Sequence, residues 1–276
     1  MAGETFAVIN ARMKPPFFRP LADALVEMFG LHQIEAIQQA RSRPYIFAKF
    51  HNIEKAQQLQ GRLQQQNVPA FVVPTTYFTE PGPAFPINNA NCLHDCFEVE
   101  TYNREPLQVQ WGQIAMISYG RVEEREVKRK SSKPATIDGD LGEMYIPISR
   151  HGMHGVIYRE PFKYDPGPKE IVDTHDVLDI FVGDFREDQF AAHLRVLADK
   201  FYYDYLAERV QQHSMANFCL FIEDIIRFSP GVHVTTPTRR LLEGRPTGKP
   251  HAGFEMFDEF NRWWVAYARA RTAEKG

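Results

Sequence analysis

Histidine and acidic side chains at metal-ligand spacing are the first chemistry to look for, and this chain offers one such set. His151 and His154 stand three apart in His151-Gly152-Met153-His154-Gly155, and Asp173, His175 and Asp176 follow. If they converged on a divalent cation, His151, His154, His175 and Asp176 would supply the imidazole and carboxylate donors of a metal-assisted hydrolase. The glycines beside the first pair predict a loop, where two imidazoles three apart need not share a face. No Glu follows the first His as in His-Glu-x-x-His. The set stands as the alternative to a binding function, and no metal or other cofactor is assigned.

Cys92-Leu93-His94-Asp95-Cys96 brings two thiols and an imidazole together. As a strand it would place Cys92, His94 and Cys96 on one face, yet its spacing is neither Cys-x-x-Cys nor half of a zinc ribbon. Small apolar side chains at the start of a domain are the favoured reading. The basic run Lys128-Arg129-Lys130-Ser131-Ser132-Lys133 has a phosphate-gripping composition, but Glu123, Glu124 and Glu126 lie within a screening length of it. It reads as a solvated insertion. The chain carries no Gly-x-Ser-x-Gly elbow, phosphate-cradling loop or dinucleotide fingerprint, and Asp138-Gly139-Asp140 lacks the Glu of a calcium loop.

The most regular positioning elements come first in the chain. Thr5 to Asn10 reads as a buried strand. Leu21, Ala24, Leu25 and Met28 form a helical stripe closed by Gly30, and Ile34, Ile37 and Ala40 form a second. Tyr45 to Phe50 alternates as a strand. Asn52 stands where an N-cap would, ahead of Ala56, Leu59 and Leu63, and Pro69 to Val73 ends the unit as another strand. The predicted order is β-α-α-β-α-β.

Gly30-Leu31-His32-Gln33-Ile34-Glu35-Ala36 resembles the Gly-Leu-x-x-x-Glu-Ala turn of the ribosomal stalk protein's C-terminal domain. Lys55-Ala56…Leu59…Leu63…Val68-Pro69-Ala70-Phe71-Val72 is similar to that family's last helix and strand. The protease adaptor family ClpS shares the fold, and Val8-Ile9-Asn10 with Pro15-Pro16-Phe17 resembles its opening. The resemblance implies a small binding domain over residues 1–74. The ligand chemistry of these families does not carry over. Ala11 and Arg12 replace the acids that would receive a peptide's amino end, no His matches that of the ClpS second helix, and glutamines replace the stalk domain's lysines.

Residues 75–92 are Pro-rich and read as a stiff linker. From residue 93 to 245 we expect a mainly antiparallel, strand-rich domain. It has a hairpin at Phe97–Tyr102 and Leu107–Trp111 and further strands near 114–122, 145–148, 156–158, 177–182 and 190–196. A packed helix at about 216–228 follows. Strands followed by one helix resemble the pleckstrin-homology class, as does the phrase running from Leu107 through Trp111 to Val122. After a Gly/Pro tether from residue 246, a last helix over about 254–271 carries Phe257, Phe260, Trp263, Trp264 and Tyr267 on its apolar side. This aromatic set is the expected partner-binding or self-association surface, unless it is buried on the chain's own second domain.

The balance of charge, −3 overall, gives no global attraction to nucleic acid or anionic lipid. No apolar run is long enough to span a bilayer. Three cysteines cannot all pair within one chain, and no leader pattern opens the sequence, so a cytoplasmic address is expected. The sequence thus predicts an α+β, two-domain, bacterial-type protein. Its expected function is that of a non-enzymatic adaptor or regulatory protein-binding module.

Overall fold

Phe6–Asn10 (β1) is apolar from Phe6 to Ile9 and is buried on both faces from Ala7 onward. Pro20 sits in the first turn of Phe18–Phe29 (α1), where its missing N–H costs no helical bond. Gly30 ends that helix at φ 66°, a conformation that favours glycine. Gln33–Ser42 (α2) follows, and then Ile46–Phe50 (β2). Asn52 caps Ile53–Gln65 (α3) as its spacing predicts, its side-chain oxygen accepting the Lys55 N–H at 3.1 Å. Ala70–Pro74 (β3) completes an antiparallel sheet of order β2-β1-β3.

One face of this sheet packs on α1, α2 and α3 through Val8, Leu21, Leu25, Phe47, Leu59 and Leu63. The register of β2 slips once: Val8 lies opposite Ala48 while Ile9 lies opposite Ile46, leaving Phe47 as an extra, bulged residue. Phe47 and Ala48 consequently both join the helix-side core, whereas Ile46 packs on the opposite side.

These elements belong to a computed structural model that describes residues 4–12, 18–100, 106–128, 169–184, 187, 189–245 and 247–273. The chain divides into two compact units, residues 1–124 with 174–276, and residues 125–173. The strands expected near 145–148 and 156–158, with His151 and His154, lie outside the described residues, as does most of the basic run.

The Pro-rich stretch expected as a linker instead contributes Ala84–Ile87 (β4) and Ala90–Cys92 (β5). Pro86 is tolerated because β4 lies at a sheet edge, where one missing N–H breaks no internal ladder. Cys96–Glu100 (β6) and Pro106–Gln110 (β7) pair antiparallel with Phe97 opposite Val109, and β5 joins them in a three-stranded meander. Ile114–Lys128 (β8), Lys169–Val182 (β9) and Ala192–Leu197 (β10) form the centre of a larger sheet. Ser214–Phe228 (α4), His233–Val234 (β11), Thr236–Leu242 (α5), His251–Ala252 (β12) and Phe254–Ala273 (α6) complete the order. The large sheet runs β11-β8-β9-β10-β4, with β12 also on β8. It is mixed, because β4, β11 and β12 all pair in parallel.

Strand alternation sorts the large sheet into two faces. Leu178 and Ile180 of β9 and Leu194 and Val196 of β10 point to a core filled by Phe218, Phe221, Ile222 and Ile225 of α4. Val177 and Phe181 point to a second core, which contains the aromatic side of α6. That same core holds Ala7, Ile9 and Val73 of the first sheet, with Tyr45 just ahead of β2. The last helix therefore lies between two sheets and is covered by both. The fold class is α+β, with a C-terminal helix.

Candidate functional site

The outer edge of β2 has no strand neighbour among the described residues, since the sheet order ends there. Beside it runs a groove of about 530 Å³. Its floor is the strand edge at Ile46, Ala48 and Lys49. Phe29, Leu31, Gln39 and Arg43, from the end of α1 through α2, form one wall, and Glu259 and Arg262 of α6 form the other. The bulge at Phe47 matters here. It turns Lys49 toward the α6 side, where its Nζ lies 5.5 Å from the centre of the Phe78 ring.

The groove is electrically lopsided. Arg43, Lys49 and Arg262 line it with Glu259 as the one carboxylate among them. Burial pushes the Glu259 carboxyl above its usual range, although Arg43, Arg262, the Ile46 backbone N–H and Lys49 all act to hold it down. Its Oε1 and the Nε of Arg262 are buried without a hydrogen-bond partner among the described residues, and Arg262 Nη1 reaches outward to Glu80 at 3.5 Å. An unpaired strand edge, two helical walls and a surplus of cations can receive an extended chain carrying negative charge.

A second cluster lies deeper, on the α6 face of the large sheet. Asp179, His193 and Asp258 each offer a ligand atom, and these atoms lie within 4.8 Å of one another. Arg195 already occupies the place of a cation there. Its Nε and Nη2 fork onto Asp179 at 2.7 Å each, and Nη2 also meets Asp258 at 2.5 Å. Asn261 donates to Asp179 at 2.9 Å. The His193 Nε2 approaches the same carboxylate at 2.9 Å without hydrogen-bond alignment, while Nδ1 faces the Gly82 carbonyl at 3.3 Å. Burial alone would raise the Asp179 carboxyl, but the hydrogen bonds and charge of Arg195, with His193 close beside it, hold it below the ordinary carboxylate range. This is a closed ion-pair network tying α6 to β9 and β10.

Of the residues singled out from the sequence as a metal set, His151 and His154 lie outside the described residues, and the two that are described, His175 and Asp176, do not share a site. His175 and Asp176 are neighbours on a strand, so they face opposite ways. His175 stands 3.4 Å from Glu124 and 3.7 Å from Asp199, whereas Asp176 accepts the Tyr119 hydroxyl at 2.5 Å. The Cys92–Cys96 stretch is a turn and not one strand, with the Leu93 N–H donating to the Cys96 carbonyl at 3.0 Å. That turn throws His94 into solvent, while Cys96 is buried and Cys92 half-buried. Burial and the nearby Asp224 push the Cys92 thiol up to about 12, far from a reactive thiolate.

Phe257, Phe260, Trp263 and Trp264 are buried, and Tyr267 packs against the same core. Trp263 donates its indole N–H to the Asn10 carbonyl at 2.9 Å, and Tyr45 meets both Phe260 and Trp263 at ring separations of 5.2 and 5.1 Å. The aromatic side expected to face a partner is therefore covered by the chain itself. It is the polar flank of α6, with Glu259 and Arg262, that reaches the groove. Sequence reading missed this flank, although Lys49 is the one charged position in the apolar run from Tyr45 to Phe50. Among the described residues, no helix is long and apolar enough to cross a membrane. Compared with known family models, curated proteins and solved structures, the chain matches none.

Proposed function

We propose that the protein is an adaptor or regulatory module that binds a segment of another protein in the groove beside β2. The observation that carries this reading is the placement of Arg43, Lys49 and Arg262 around a strand edge that has no strand neighbour among the described residues. Backbone groups along such an edge provide affinity in many peptide-recognition domains, and wall side chains provide selectivity. The resemblance of residues 1–74 to the stalk and ClpS fold points in the same direction, because both are docking domains.

The reading is tested by comparing affinity capture with the intact chain and with an Arg43→Glu/Lys49→Glu double variant. Both side chains are exposed, so the substitutions should leave the fold intact. Proteins retained by the intact chain and lost from the variant are expected, together with slowed amide exchange along β2 when a retained protein is added back. Equal retention by both chains would place any partner elsewhere.

A further inference from the structure

The groove already holds one carboxylate, and the way it is held describes what else would fit. Glu259 reaches the strand edge from α6, where burial works against its negative form while Arg43, Arg262, the Ile46 backbone N–H and Lys49 favour it. Three cations and one acid leave the lining net positive. From this geometry, and resting on the binding reading above, we infer that the occupant is an extended acidic segment of a partner protein. It lies along β2 as an added strand and places its own carboxylates against Lys49 and Arg43.

Edge strands are commonly guarded by a lysine or a bulge, and β2 has both, in Lys49 and Phe47. These guards act selectively. A second copy of β2 would bring another lysine toward a basic groove, and like charges across a strand pair are unfavourable. An acid-bearing strand turns the same lysine into an anchor. Phe29 and Leu31 on the opposite wall offer apolar contact to the alternate side chains of such a strand, which point the other way. Glu259 then acts as a resident competitor, because its charge occupies the field that the ligand would enter.

The test uses fluorescence anisotropy with the full chain and a labelled peptide of about ten residues alternating Val and Glu, a length typical of a strand. Saturable binding is expected, weakened about tenfold or more by Lys49→Glu or Arg43→Glu. Glu259→Gln is expected to tighten it several-fold, since the charge is removed and the shape kept. The same peptide N-methylated at alternate amides should bind about tenfold more weakly, having lost its ladder donors. Equal binding of the N-methylated peptide would overturn strand addition while leaving the groove as a binding site. Equal binding of a Val/Lys peptide would overturn the acidic class, and so would competition by inorganic phosphate or a single-stranded oligonucleotide as effective as the unlabelled peptide. If no peptide binds and the chain instead dimerises in a way abolished by Lys49→Glu, the occupant is a second copy and the inference fails.

Discussion

Individual buried ionisable groups govern how this protein responds to acid. His251 packs its ring against Phe257 and Phe260, at 5.2 and 5.4 Å, and burial lowers its pKa to about 4. An unfolded histidine titrates near 6.5, so the unfolded chain binds a proton that the folded one refuses. The resulting stability is fully present above about pH 6.5 and is lost as the pH falls through that value toward 4. Asp179 works in a lower window. Its pKa is depressed by Arg195 and His193 against the pull of burial, so its contribution is present above about pH 4 and is lost as the pH drops below that. Denaturant midpoints measured across this range should decline in two stages. His251→Gln should flatten the upper stage and leave the lower one in place. A variant with an unchanged slope between pH 6.5 and 4 would show that the buried imidazole is not the group responsible.

At the scale of elements, the close approach of α6 to β8 depends on a missing side chain. A Cβ at Gly120 would lie 2.5 Å from Cε2 and 2.8 Å from Cδ2 of Phe257. Phe257 is itself fully buried, so it has no open space to turn into. Gly120→Ala should therefore destabilise by about 1–3 kcal/mol, the usual range for overpacking, measurable by urea unfolding. Phe257→Leu in the same chain should recover part of that loss, and a double variant no better than the single one would place the strain elsewhere. The stretch from β1 to β3 was legible from sequence because its helices keep the 3.6-residue period and its caps, Gly30 and Asn52, are strong local signals. Edge strand β4 was not, since four prolines in the stretch from Pro74 to Asn91 mask a strand whose partner β10 lies more than a hundred residues away. The two-residue strands β11 and β12 exist only through parallel pairing to β8, and no local pattern announces them. The candidate groove was illegible for a related reason. Lys49, Arg43 and Arg262 come from three separate elements and carry no shared spacing, whereas His151-x-x-His154 has the spacing but lies outside the described residues.

For the whole molecule, α6 is a central element despite coming last in the chain. It supplies Phe257, Phe260, Trp263 and Trp264 to a core that the small sheet and the large sheet share. It also closes the buried Asp179–Arg195 pair through Asn261 and Asp258, and it provides one wall of the groove. Without it, Ala7, Ile9, Val177 and Phe181 would face water, and Arg195 would lose one of its two carboxylates. A single large-to-small change at a buried aromatic costs about 3–5 kcal/mol, a large fraction of the roughly 5–15 kcal/mol that stabilises an ordinary domain. A chain ending at residue 253 should therefore fail to show a cooperative thermal transition, and its near-UV circular dichroism should collapse. Trp263→Phe provides the graded control: it retains most of the apolar contact but loses the hydrogen bond to Asn10, so it should unfold cooperatively at a lower temperature. A truncated chain that melts cooperatively near the temperature of the intact protein would mean that the two sheets hold together without the helix between them. The groove could then be assembled by a partner's helix as readily as by the chain's own.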